Sequence, residues 1–385
     1  MTQGNGKNAA SRYLRKLSRV SAAGGVEAAG ESAEAFSENR AEEAHERAID
    51  SIERESQAKL DKTSRDELKK LFLGDGAEAL SKLKSDGERA DLTDEEQGAL
   101  EAIVVMDGSR PTMALSADDR LDLGDPTLGQ WKDVTKKFAD QITRVASAVG
   151  RIDLDGEHRG TGFAVKDGLV LTNRHVLQEL AEEVDPKNKK WRFRGEPSIT
   201  FDANPNESRT RQFKLKTEVI LAGPDAINRM SIDYNRLDFA ILECIVPAGA
   251  RLPEPLELEN DADKVVEGRP IFTLGYPAKP APGAYQWDVL HKHFRNRYSV
   301  KRFAPGEIDR GLGTRAAGTG ETVFTHDTTT LGGNSGSCVV DLGNDGRLVV
   351  GLHFAGMPKT ANYAHSQATL KKSFEALELD WKEWI

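Results

Sequence analysis

From Gly150 onward the chain changes character. Short apolar runs follow one another, each broken by a turn, a pattern that suits an all-β sandwich or barrel. Gly160–Val165 reads as a strand rich in small residues, Asp167-Gly168 as a tight hairpin turn, and Leu169–Thr172 as the returning strand. Ser198–Asp202 and Phe213–Ala222 are strand-like, and a loop over 223–236 leads into the apolar strand Leu237–Leu242. Further on, the glycine-rich turn Thr328–Ser337 feeds directly into Cys338-Val339-Val340, a run that reads as a buried strand.

Three residues in this region have the chemistry of a nucleophile system. Ser335 sits in Gly333-Asn334-Ser335-Gly336, and a serine hydroxyl becomes a nucleophile only if a base takes its proton and nearby donors receive the oxyanion. Glycine at Gly333 lets the backbone turn its N–H toward a substrate, beside the N–H of Ser335. His175 follows the strand end Leu171-Thr172-Asn173 and precedes the helix-like Leu177–Leu180, so it is well held. Asp238 heads an apolar strand, where a buried acid wants a donor and an imidazole Nδ1–H is a fitting one. Asp233 competes for that role, but its polar neighbours leave it solvated. Each residue alone also fits a plain loop, a surface histidine or a structural acid. The chain order His–Asp–Ser separates this set from the subtilisin and α/β-hydrolase orders.

With these residues in view, positions from about 148 to 370 resemble a bacterial trypsin-like serine peptidase of the chymotrypsin fold. The likeness rests on Thr161-Gly162-Phe163, Leu171–Val176, Leu237–Ala240, Thr273–Pro277 and Gly333–Ser337. It implies two packed six-stranded β-barrels with the site in the cleft between them. It also implies His175, Asp238 and Ser335 as the triad, Gly333 and Ser335 as the oxyanion hole, and no metal or organic cofactor.

Within the family the chain looks most like the glutamyl endopeptidases, which have a threonine five residues before the nucleophile and a histidine on the strand lining the specificity pocket. Thr330 and His353, the latter in Leu352–Gly356, occupy those positions, and Phe354, Ala355 and Gly356 would pair with an extended substrate. Hydroxyl and imidazole together can donate to a carboxylate, which implies cleavage after Glu. His353 as an ordinary core histidine is the alternative. Those enzymes also use a processed N-terminus at the pocket, and the long extension here departs from that. Thr329 stands where a basic-specific enzyme has an aspartate, and Asp327 reads as structural.

The rest of the chain divides by composition. Residues 1–36 are rich in Gly, Ala, Ser and basic side chains and read as flexible; residues 37–115 read as an α-rich module. In the module, Ala41, Ala44, Ala48, Ile49 and Ile52 form a thin stripe on a solvated or partner-binding helix. Capping boxes are read at Ser64/Glu67 and Thr93/Glu96. The second opens a helix that passes into Ile103–Met106; a turn at Asp107–Pro111 and a returning strand at Met113–Leu115 follow. Residues 116–130 suit an acidic linker, and 131–385 form the peptidase domain. That domain opens with an amphipathic helix on Trp131, Val134, Phe138, Ile142, Val145 and Val149, and it closes with a helix over Thr369–Ile385. The basic stretch Trp287–Arg302 reads as a surface loop or an acid-binding insertion.

A net charge of −9 argues against a general nucleic-acid binder, and no stretch reaches membrane-spanning length. Cys244 and Cys338, the only cysteines, read as small buried hydrophobes, and with no apolar leader the expectation is a cytoplasmic protein. Protein or peptide substrates are expected, with a regulatory partner reached through the N-terminal module. Self-processing, with the module as pro-segment and the acidic linker as its cleavage site, is the alternative. A non-enzymatic binding module on the same fold is another.

Overall fold

The computed structural model describes residues 5–18, 36–56, 58–228, 231, 233–280, 290, 297–312, 321–343, 345–357, 361–379 and 381–382. Six antiparallel strands close a first barrel: β1 (Val149–Leu154), β2 (Glu157–Lys166), β3 (Leu169–Thr172), β4 (Pro197–Thr200), β5 (Gln212–Ala222) and β6 (Ala240–Ile245). They bond in the order β1-β2-β3-β6-β5-β4, and β4 returns to β1. The Asp167-Gly168 turn between β2 and β3 is present, with Gly168 at φ +82°. A second barrel is built from β7 (Pro270–Gly275), β8 (Arg302–Arg310), β9 (Val323–His326), β10 (Cys338–Asp341), β11 (Val349–Met357) and β12 (Ala361–Ser366). Its order, β7-β8-β9-β12-β11-β10 with β10 returning to β7, repeats the connections of the first.

Alternation along the strands gives each barrel its own interior. Ile152, Val170, Ile199, Phe213 and Leu242 fill the first; Ile271, Ile308, Phe324, Val339 and Val350 fill the second. The opposite faces of the same strands meet at the seam between the barrels, where Phe163, Leu171 and Ile241 join Phe272, Phe303, Val340 and Leu352 in one cluster. This double use of β3, β6, β7 and β10 makes the cleft a rigid place to hold side chains.

Among the described residues the N-terminal module contains α1 (Asn5–Ser18), α2 (Glu38–Ser56), α3 (Lys62–Lys69), α4 (Ala77–Asp86) and α5 (Asp94–Met106). The flexible reading of the N-terminus is corrected over α1, because Ala9, Ala10, Tyr13 and Leu17 bury one face of that helix against the module. The alanine stripe of α2 is buried in the same core rather than solvated. Asp61, not Ser64, caps α3, accepting from Ser64 N at 2.7 Å, whereas the Thr93/Glu96 capping box is formed. Ile103–Met106 remain helical and fully buried, and Met113–Ala114 pair with β8 rather than returning to them.

The segment read as an acidic linker is pinned. Asp119 is 2% exposed and its carboxylate receives Lys301 Nζ and an Arg211 nitrogen, each at 2.6 Å. The helix expected to run through Val149 breaks at Phe138 into Lys132–Lys137 and α6 (Ala139–Ser147), and Val149 begins β1. A short helix, α7 (Arg174–Leu180), follows β3. At the C-terminal end α8 (Gln367–Phe374) and a helical turn, Glu375–Leu377, end in the left-handed Glu378. Trp381–Lys382 then form a strand parallel to Leu258–Glu259, which shortens the expected helix. Of the basic stretch, Lys301 and Arg302 are buried rather than on a surface loop; Trp287, His291, Lys292, His293 and Arg295 lie outside the described residues, as does Trp384.

Candidate active site

His175 stands in the first turn of α7, directly after β3, and Asp238 lies two residues before β6, the strand that pairs with β3. The pairing carries the two residues together. Asp238 Oδ1 accepts the His175 backbone N–H at 2.9 Å, and Oδ2 lies 2.6 Å from His175 Nδ1. Asn173 Nδ2 donates to Asp238 O at 2.9 Å, and the Asp238 N–H donates to His365 Nε2 at 3.1 Å. Burial pushes the Asp238 pKa upward, but attraction to His175 and these hydrogen bonds outweigh it and hold it below the usual carboxylate range. Asp233 is exposed and pairs with Arg236 at 3.1 Å, which removes it from contention.

Ser335 enters from the second barrel on the turn before β10. Its carbonyl accepts from Thr161 N at 2.8 Å, beside Gly160, where an added Cβ would touch both Ser335 O and the side chain of Val176, the residue after His175. The Ser335 backbone is therefore held against β2 of the first barrel, close to the residue that follows His175. No hydrogen bond joins its hydroxyl to a described residue, and such contacts commonly tighten only with substrate bound.

The turn depends on its glycines. Gly333 and Gly336 both have φ +89°; a Cβ on Gly336 would come within 1.9 Å of Thr161 O, and one on Gly333 within 2.6 Å of Tyr276 O. Thr161 Oγ1 fixes the turn by donating to Gly333 O at 2.8 Å. Among the described residues neither the Gly333 nor the Ser335 N–H has an acceptor, which leaves two donors for an oxyanion.

The five residues assigned to substrate recognition, Thr330 on the turn and His353, Phe354, Ala355 and Gly356 on β11, sit among neighbours that sequence reasoning missed. His353, 2% exposed, has Nδ1 3.2 Å from His326 Nε2, and His326 Nδ1 lies 2.9 Å from Thr328 Oγ1. Thr330 donates its hydroxyl to Asn362 Oδ1 at 2.6 Å, and Asn362 Nδ2 donates to Thr328 O at 2.7 Å. Gly356 closes this group, since a Cβ there would come within 2.7 Å of Asn362 Oδ1. Phe354 stacks on His365 with ring centroids 4.4 Å apart, and Ala355 follows a bulge in β11. Burial drives His326 down to about 3 and His353 well below its usual value, the latter also through its neighbours His326 and His175. Thr329 donates to Arg110 O at 2.7 Å, and Asp327 is paired with the fully buried Arg110 at 2.6 Å.

Two closed six-stranded barrels with a histidine–carboxylate pair and a glycine-flanked serine on their shared cleft define the chymotrypsin-like class. The trypsin-like peptidase domain family matches residues 160–352, half of the chain. A probable serine protease of Lysobacter enzymogenes is 32% identical over 311 residues, covering 75% of this chain and 78% of its own length. This chain belongs to the trypsin-like serine peptidase family. Among solved structures, the HtrA-type protease AlgW with tripeptide aligns over 62% of this chain and 63% of its own, at 16% identity and TM-score 0.39. Neuropsin, a serine protease expressed in the limbic system of mouse brain, aligns over 61% of this chain and 95% of its own, at 13% identity and TM-score 0.44.

Proposed function

We propose that this peptidase is an endopeptidase cleaving after Glu by an acyl-enzyme mechanism. His175 takes the Ser335 proton during attack on the scissile carbonyl, then delivers it to the leaving amine. Asp238 fixes the tautomer, with the proton on Nδ1, and stabilises the imidazolium. The Gly333 and Ser335 amides receive the oxyanion; losing one such donor costs about 10²–10³ in turnover.

The hydrogen-bond chain behind His353 carries the specificity. It can run in one direction with every ring neutral: Thr328 O–H to His326 Nδ1, then His326 Nε2–H to His353 Nδ1. His353 Nε2–H is then the donor left for the pocket. Thr273, next in line 3.2 Å from Thr328, has Ala304 O as its own acceptor and need not take the Thr328 proton. A substrate carboxylate selects this direction and competes with Asn362 for the Thr330 hydroxyl. Glutamine offers no matching charge, so acidic side chains are favoured.

The alternative of a pro-segment, in which the enzyme cuts its own acidic stretch, is opposed by the burial of Asp119 against Lys301 and Arg211. We place the module with the mature enzyme, where it recruits substrate or a regulator. A reducing cytoplasm suits the two free, buried cysteines.

A peptide library with the full chain and Ser335→Ala tests the reading. The unaltered chain should cleave after Glu at least about tenfold better than after Gln, and Ser335→Ala should be inert; both should remain uncut over residues 116–126. Activity with no acidic preference would end the specificity claim. Failure of a fluorophosphonate to label Ser335 would favour a binding module instead.

A further inference from the structure

Resting on that reading, we infer that the N-terminal helix α1 is a specificity element of the peptidase: Arg12 and Lys16 supply positive charge behind the acid pocket. The pocket is built in layers. Thr330 and His353 form its front, and each is hydrogen-bonded to a second residue, Asn362 and His326. Those two also line a small cavity whose other walls are Arg12, Arg15, Lys16, Asp309, Asp327 and Ala361. Neither Asn362 nor a neutral His326 brings a charge of its own, and the cations that line this cavity come from α1.

The charges are arranged unevenly. Arg12 and Lys16 share one anchor, Glu101 of α5, at 2.6 and 3.3 Å, and Tyr13 donates to the same carboxylate at 2.9 Å. Asp327 is already neutralised by Arg110, and Arg15 is 3.8 Å from Asp309. Over the whole cluster four cations meet four carboxylates, Glu307 being the fourth, but Glu101 and Glu307 are not part of the cavity wall. The cavity lining carries Arg12, Arg15 and Lys16 with Asp309 and Asp327, Glu101 balances Arg12 and Lys16 from outside it, and Arg12 Nη1 is buried with no acceptor among the described residues. A buried guanidinium nitrogen without an acceptor is costly until an anion arrives beside it. An acidic substrate side chain on the far side of Asn362 and His326 is such an anion.

Two further observations tie the helical module to the peptidase. The turn that carries Thr330 is tied to the module, because Thr329 donates to Arg110 O and Leu331 packs in the module's core. The Lysobacter enzymogenes relative aligns over 75% of this chain, more than the residues after Val149 can hold, so the likeness runs into the helical segment.

The test uses the full chain and paired peptides with Glu or Gln at the cleaved position. Arg12→Gln with Lys16→Gln should lower kcat/KM for the Glu peptide by about tenfold and leave the Gln peptide within about twofold, the effect of removing nearby charges through a protein dielectric. Arg12→Lys should keep the preference. Adding Glu101→Gln to the double variant removes the carboxylate those cations neutralise, guards against misfolding, and should show the same selective loss. If the unaltered enzyme prefers Glu and the variants keep its Glu/Gln ratio, or lose both peptides equally, the inference is overturned while the acid specificity stands. An unaltered enzyme without acid preference would instead remove the reading beneath it.

Discussion

Asp238 uses both carboxylate oxygens on His175, so what steadies its backbone decides where the imidazole points. That support comes from Asn173 on one side and His365 on the other, the latter accepting the Asp238 N–H while its own Nδ1 lies 3.5 Å from Thr322 Oγ1. Burial lowers the His365 pKa to about 4, which keeps Nε2 an acceptor at neutral pH. Replacing His365 by Leu would strand a buried N–H at a cost of about 1–3 kcal/mol. We expect His365→Leu to lower kcat several-fold with KM unchanged, and His365→Gln, whose Oε1 can accept the same bond, to restore most of it; steady-state kinetics and urea unfolding read both effects. His175, Asp238 and Ser335 were legible because chain order and strand ends mark them. His326, His365 and Asn362 were not, because their roles exist only once β9, β12 and β11 pair, with Leu352 opposite His365 and His326 opposite Asn362.

The turn between β9 and β10 is braced from outside the barrels. Arg110, fully buried, donates to Asp327 at 2.6 Å and to Glu307 at 3.2 Å, and its guanidinium lies 5.6 Å from the Trp131 ring centroid. Burial alone would lower the Arg110 pKa, but Asp327 outweighs it and raises it; burial likewise opposes, and Arg110 more than offsets, in lowering that of Asp327. Arg110→Ala leaves Asp327 buried and unpaired and should cost about 3–5 kcal/mol. Adding Asp327→Asn should return part of that loss, and denaturant midpoints of the single and double variants measure the coupling. The barrel strands could be read from Gly150 onward because alternating runs and Asp-Gly or Gly-rich turns mark them locally. The brace could not: Arg110 sits in a turn by composition, and Glu307 and Asp327 lie far along the chain. Helix α1 was hidden for another reason, since Ala9, Ala10, Tyr13 and Leu17 make too thin a stripe to signal burial without the module that covers it.

Across both barrels the fold buries histidines in the neutral form, and this gives its stability a definite pH dependence. His158 bridges Ser299 Oγ at 3.1 Å and Gly160 O at 3.2 Å beside the Ser335 turn, and burial, reinforced by Arg151, lowers it to about 3. His326 at about 3 and His365 at about 4 are buried in the second barrel. In the unfolded chain each returns to the ordinary histidine value near 6.5. Below that value the unfolded state binds more protons than the folded one, so stability falls as the pH falls; above it the contribution is fully present. Each histidine should cost up to about tenfold in the folding equilibrium per pH unit, down to its folded pKa. The depressed carboxylates Asp238, Asp327 and Glu101 act in the same direction, but only once the pH nears the unfolded carboxylate range. Asp153 and Asp341, raised by burial, oppose them there. Between about pH 6.5 and 5 the slope therefore belongs to the histidines. Urea midpoints measured from pH 7.5 to 5 should be flat at the upper end and fall steadily below about 6.5, and His326→Gln should shallow the fall by about one proton's worth. A midpoint unchanged across that window would mean these rings take up protons in the folded state, and the neutral chain from Thr328 to His353 would no longer account for recognition of an acid.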